Sequence, residues 1–169
     1  TVEGGDGATL TVAGGTVFAT GGADGGSGIG SGVGNVGNGG SAPHVSGSCT
    51  FTGGSIRIDG GCAAAAPTDG ANRVWCVTVP GIIPGAAVVV TSLGTYGVND
   101  LFADEDGRLY LWLPDNDYTF TAGGFGYTAA VNGADAMATL YLAAPVFATD
   151  GSALVFSGTT LSITIANAQ

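Results

Sequence analysis

The stretch Thr9-Leu-Thr-Val-Ala-Gly-Gly-Thr-Val-Phe-Ala-Thr-Gly-Gly22 returns as Ser48-Cys-Thr-Phe-Thr-Gly-Gly-Ser-Ile-Arg-Ile-Asp-Gly-Gly61, with Gly53 standing 39 positions after Gly14. Each copy holds an alternating run, a Gly-Gly corner, a second alternating run and another Gly-Gly. Alternation at period two is the mark of a strand with two different faces. Glycine supplies the positive φ that a sharp corner demands. A unit repeated at a fixed period buries its apolar face by stacking on the next copy. The reading is therefore an all-β chain that starts with short right-handed parallel β-helix (solenoid) coils over residues 1–72.

Within the first copy Leu10 and Val12 point one way and Thr9 and Thr11 the other, after which Val17 and Ala19 alternate with Thr16, Phe18 and Thr20. The segment 27–32 is a candidate third face with Ile29 turned inward. Residues 33–47 are Gly, Asn and Ser with few apolar anchors, which predicts a long exposed loop. Near Arg73 the texture changes to short runs at 74–79, 87–92, 108–113, 118–122, 127–131, 138–142, 153–156 and 161–165. Between them fall turn pairs such as Pro80-Gly81, Asp106-Gly107 and Asn132-Gly133. This spacing predicts an antiparallel β-sandwich-like part over residues 73–169, packed with or following the coils.

The chain of 169 residues carries three Arg, no Lys and thirteen acidic residues, for a formal charge of −10. Nothing here neutralises a phosphate backbone, so nucleic acid is excluded as a partner. No basic cluster is present to sense anionic lipid, and apolar runs such as 86–90 are too short to span a bilayer, so no membrane insertion is expected. The chain begins abruptly in repeat-like sequence, which reads as a piece of a larger secreted or surface protein whose signal lies upstream. Cys49, Cys62 and Cys76 are odd in number and none lies in a CxxC pair. Cys49 and Cys76 read as small buried hydrophobes on strands, with a Cys49–Cys62 bridge open as an alternative.

The pieces Gly-Gly-Thr-Val-Phe-Ala-Thr-Gly-Gly and Ser-Gly-Ile-Gly-Ser-Gly resemble the glycine-rich tandem repeats of large bacterial surface proteins, grouped with right-handed β-helix carbohydrate-binding proteins. The stretch 96–120, with Asp106-Gly107, Leu113-Pro114 and Tyr118-Thr119, is similar to prealbumin-like sandwich domains of secreted proteins. The resemblance implies a non-catalytic carbohydrate-binding or stalk module that works outside the cell or on its surface. It transfers no binding residues.

Any chemistry must then rest on the residues themselves. Glycosidases need paired carboxylates with a raised-pKa acid, and β-helix lyases need a cation beside a calcium-bound acidic sugar. Here Arg57 has only Asp59 near it in sequence, Asp59 reads as a rim residue, and His44 has no acidic partner in reach. No catalytic residue is assigned. On the run 108–113, Leu109, Leu111 and Leu113 share one face, so Tyr110 and Trp112 share the other with Arg108. If the leucines face the core, two rings stand in a row as a sugar-stacking platform, with Tyr96 nearby. If both faces are buried, the rings are core. Asp100, Asp104, Glu105 and Asp106 ahead of Gly107 supply hard oxygen ligands of the kind calcium takes, without the full twelve-residue loop. The alternative is a solvated acidic turn. A polysaccharide or other glycan is the expected partner. The competing reading is a structural or adhesive stalk element that self-associates through an exposed coil end or strand edge.

Overall fold

The computed structural model describes residues 9–21, 28–29, 47–59, 66–94 and 101–141, together with the backbone of two short strands at 155–157 and 160–162. Every element in them is a strand, arranged in several sheets, none of them closed. No helix among these residues is long and apolar enough to cross a membrane.

The two repeat copies form strands β1 (Leu10–Thr20) and β2 (Cys49–Asp59), and they pair in parallel. Leu10 lies against Cys49 and Val12 against Phe51. After the corner Thr16 meets Ser55 and Thr20 meets Asp59, so the sequence offset of 39 is also the pairing register. The register slips only at the corner, where Ala13 lies opposite Gly53. Gly15 and Gly54, the second glycine of each corner, have φ of 76° and 93°. The corners stack so closely that a Cβ on Gly54 would sit 2.9 Å from the Gly15 carbonyl oxygen, whereas one on Gly15 would meet nothing within 4 Å. Gly54→Ala is expected to destabilise by about 2–3 kcal/mol and Gly15→Ala by about 1, because both force an L-residue to positive φ but only the first also collides with backbone. Denaturant titration of the two variants checks this, and equal losses would count against the stacked corner.

Val12, Cys49, Phe51, Ile56 and Val74 make the core of this part, with Leu10, Val17, Ile29, Ile58 and Trp112 packed around it. Ile29 is thus turned inward, as the sequence reading expected. The loop expected at 33–47 lies, apart from Gly47, outside the described residues. A second parallel contact continues beyond β2, where Thr50 bridges Thr68 and the Phe51 N–H donates to the Thr68 carbonyl at 2.8 Å.

The rest of the chain forms β3 (Trp75–Val79), β4 (Ala87–Val88), β5 (Val90–Thr91), β6 (Leu101–Phe102), β7 (Leu109–Leu113), β8 (Asn116–Ala122), β9 (Phe125–Val131), β10 (Ala136–Met137), β11 (Thr139–Tyr141), β12 (Val155–Ser157) and β13 (Thr160–Ser162). One sheet has the order β10-β3-β7 and another β11-β9-β8-β5, while β4 pairs with β6 and β12 with β13. The two larger sheets share one core: Val77, Val79, Leu109, Leu111 and Leu113 from the first meet Val90, Phe120, Ala122, Tyr127, Ala129 and Val131 from the second. Phe120 and Tyr127 stack at 5.8 Å, and the Tyr127 hydroxyl donates to the Pro80 carbonyl. Gly123 and Gly124, both at positive φ, make the two-residue hairpin between β8 and β9.

One pairing departs from the antiparallel expectation: β10 runs parallel to β3. The chain reaches β10 from β9 by crossing from one sheet to the other, which sets its direction. At the crossing Asp135 accepts a bond from the Cys76 N–H at 2.9 Å. Burial, with Asp135 adding to it, pushes the Cys76 thiol up to about 12, so it stays protonated and unreactive at neutral pH. Cys49 is buried in the first core, and Cys62 lies outside the described residues.

Candidate functional site

The leucine face of β7 points into the shared core, with Leu109, Leu111 and Leu113 fully buried. Tyr110 and Trp112 lie on the opposite face, as alternation requires, and that face is turned to β2. Both rings are half-buried there. Trp112 meets Phe51 edge-on at 5.2 Å and donates its indole N–H to the Ile56 carbonyl at 2.8 Å. The Tyr110 backbone N–H donates to the Ser55 hydroxyl at 3.0 Å. Thr16 holds the same place in the first repeat copy, and its hydroxyl accepts the Phe102 N–H at 2.8 Å. The hydroxyl residue that follows each Gly-Gly corner therefore pins one strand of the later part to the ribbon.

Asp104 lies at the centre of this junction, 5% exposed. Its Oδ1 accepts the N–H groups of Asp106 and Arg108 at 3.0 and 2.8 Å. Its Oδ2 accepts the Tyr110 hydroxyl at 2.8 Å and Arg57 Nη1 at 3.4 Å. Burial alone raises this carboxyl, but the Tyr110 hydroxyl, the two backbone donors and the Arg57 charge outweigh it and leave its pKa below the ordinary value. Burial and the bond to Asp104 push the Tyr110 phenol up. The guanidinium of Arg57 also holds Asp59 at 3.0 Å and lies 5.9 Å from the Tyr110 ring centroid.

The other expected site residues are spread out. Arg108 is exposed and faces Asp106 at 3.8 Å. Tyr96 and Asp100 lie outside the described residues, as does His44. A cation at Asp104 would have to displace four protein donors, and among the described residues no three His, Cys, Asp or Glu side chains converge as a metal site requires. Trp75 packs half-buried against the core of the later sheets and lies under the Arg73 guanidinium at 3.8 Å.

A groove of about 540 Å³ opens beside the Asp104 junction, lined by Phe18, Thr20, Arg57, Asp59, Asp104 and Glu105 among others. Its floor follows from the repeat. On the second half of each copy, Val17 and Ile58 pack against the first core. Phe18 and Arg57 are register partners, as are Thr20 and Asp59, and the four share the opposite face of the ribbon. The wall comes from the loop at 103–105. Phe18 is 55% exposed, which leaves an open ring beside a fixed Arg–Asp pair. Such a groove offers an apolar face, a guanidinium donor held in place by two carboxylates, carboxylate acceptors and a hydroxyl. Sequence reasoning weighed Arg57 and Asp59 for catalysis and assigned neither to a site, and it did not single out Phe18. Applying the 39-residue offset to the second half of the repeat, which sets Phe18 beside Arg57, would have found it.

Compared with known proteins, the chain matches no family model, no curated protein and no solved structure.

Proposed function

We propose that this chain is a non-catalytic glycan-binding module of a secreted or surface protein, in which two solenoid coils dock on a β-sandwich and hold a polysaccharide in the groove between them. The observation that carries the reading is the open Phe18 ring set beside the Arg57–Asp59 pair. A pyranose stacks one face on an aromatic ring while its equatorial hydroxyls bond to planar donor and acceptor groups. Tyr110 serves from beneath by holding Asp104, and Asp104 in turn holds Arg57. Arg108 lies further along the same loop.

The electrostatics favour binding over hydrolysis. A glycosidase acid needs a carboxyl with a raised pKa, whereas Asp104, the buried carboxyl of the groove, is held low. Affinity electrophoresis through gels that contain plant and host polysaccharides tests the proposal. Retardation by at least one polysaccharide is expected, weakened about tenfold by Phe18→Ala, whose side chain is exposed and whose loss leaves the fold intact. Undiminished retardation of that variant sinks the site, and no retardation by any polysaccharide sinks the function.

The stalk reading draws on one observation: among the described residues β1 has a single strand partner, so a coil added on its other edge would extend the parallel ladder. Concentration-dependent assembly on a sizing column without glycan retention favours it.

A further inference from the structure

A second recess, of about 440 Å³, lies on the outer face of the four-stranded sheet, and the geometry points to a separate binding site there for a neutral sugar ring stacked on Tyr141. The site is built by register. Thr91 pairs with Thr121, Thr121 with Gly126, and Gly126 with Tyr141, so these four residues form one row across β5, β8, β9 and β11. Paired residues of antiparallel strands share a face, and here it is the face opposite Phe120 and Tyr127, which are buried in the core. The next row is Thr119, Thr128 and Thr139. Hydroxyls thus tile a flat surface.

Gly126 leaves a bare place in that surface, and Tyr141 fills it. A Cβ on Gly126 would come 2.8 Å from the Tyr141 carbonyl oxygen and 3.7 Å from its Cδ1, so the place admits no side chain of its own and one edge of the Tyr141 ring lies beside the glycine. Tyr141 is nevertheless 49% exposed, which leaves the remainder of the side chain open to a ligand. Thr91 and Thr121 fix each other through a 2.6 Å hydroxyl contact. Ser92, on the wall of the recess, is the one non-glycine residue with positive φ among the described residues, at 69°. Backbone held in that region costs of order 1–3 kcal/mol.

Among the described residues no charged side chain lines the recess, in a chain of net charge −10. An ionic ligand would shed water here without gaining a counter-charge, whereas a neutral pyranose presents one apolar face to the ring and hydroxyls to Thr119, Thr121 and Ser92. The site is independent of the Phe18 groove and of any charge in it.

The test is amide chemical-shift mapping of the labelled chain with cellohexaose, xylohexaose, mannohexaose and maltohexaose. At least one is expected to shift the amides of Thr121, Gly126 and Tyr141. Tyr141→Ala should weaken that response about tenfold. Thr121→Val keeps the side-chain shape, and so the fold, and should weaken it several-fold. Phe18→Ala should leave it unchanged, which separates this site from the first groove. The inference is overturned if no hexaose shifts residues 119–126 and 139–141, if both variants respond like the wild type, or if Phe18→Ala abolishes these shifts along with those near Arg57.

Discussion

Replacing Trp112 with alanine is expected to lower the stability of the chain by about 3–4 kcal/mol. The ring fills the space between β2 and β7, where it meets Phe51 edge-on and packs against the first core. Truncation leaves a cavity between the two parts and strips the Ile56 carbonyl of its indole donor. An unpartnered carbonyl in a partly buried place adds about 1–2 kcal/mol to the lost packing, which offsets the discount for incomplete burial of the ring. Trp112→Phe keeps an aromatic edge against Phe51 and loses only the hydrogen bond and the smaller volume, so about half the effect is expected. Urea titration followed by far-UV and near-UV signals measures both variants. A loss below about 1 kcal/mol for the alanine variant would mean that the ring is not a structural contact. The practical consequence concerns ligand mapping: a change in glycan retention by the Trp112 variant reports on folding first, while Phe18 reports on the groove.

The reason Trp112 looked like a platform residue is instructive. Alternation along β7 separates the leucines from Tyr110 and Trp112, and that separation is present in the structure. Period two shows that a strand has two faces but not what covers the second one. The covering element, β2, lies 56 residues away from Trp112 in sequence, at Ile56. The pairing of β1 with β2 was legible because the repeat carries its own register. Each Gly-Gly corner must stack on its counterpart, and that leaves an offset of 39 as the one consistent choice. The strands of the later part were legible from runs and turns, while β6, two residues long beside an undescribed segment, left no pattern to read. The direction of β10 was also hidden, since two residues cannot distinguish a parallel from an antiparallel partner. Asp104 read as one acid in a turn of acids. Its position at the junction depends on Arg57, 47 residues away, and on Tyr110 lying on the covered face of β7. Neither partner is visible without the packing of the two parts.

That dependence makes Asp104 the second point at which a large effect is expected. Asp104→Ala removes the acceptor from the Asp106 and Arg108 N–H groups, the Tyr110 hydroxyl and Arg57 Nη1 together, and a loss of about 3–4 kcal/mol at neutral pH is expected. The effect has a sign in pH. Because the folded carboxyl titrates below its unfolded value, near 4 for an ordinary Asp, the ionised form stabilises the fold. Its contribution is complete above about pH 4–5 and is lost as pH falls through the folded value. The gap in stability between wild type and Asp104→Ala should therefore be widest at neutral pH and narrow as the pH falls through the folded carboxyl's titration, below the ordinary Asp value, where the protonated group accepts less strongly from Arg57 and Tyr110. Denaturant titrations at several pH values between 2 and 7 measure that gap. A gap that stays constant across the range would show that Asp104 acts by its shape and not by its charge, and the electrostatic junction between the ribbon and the later sheets would have to be abandoned. Asp117→Asn, at an exposed position outside this network, serves as the control and should change stability by less than about 0.5 kcal/mol at any of these pH values.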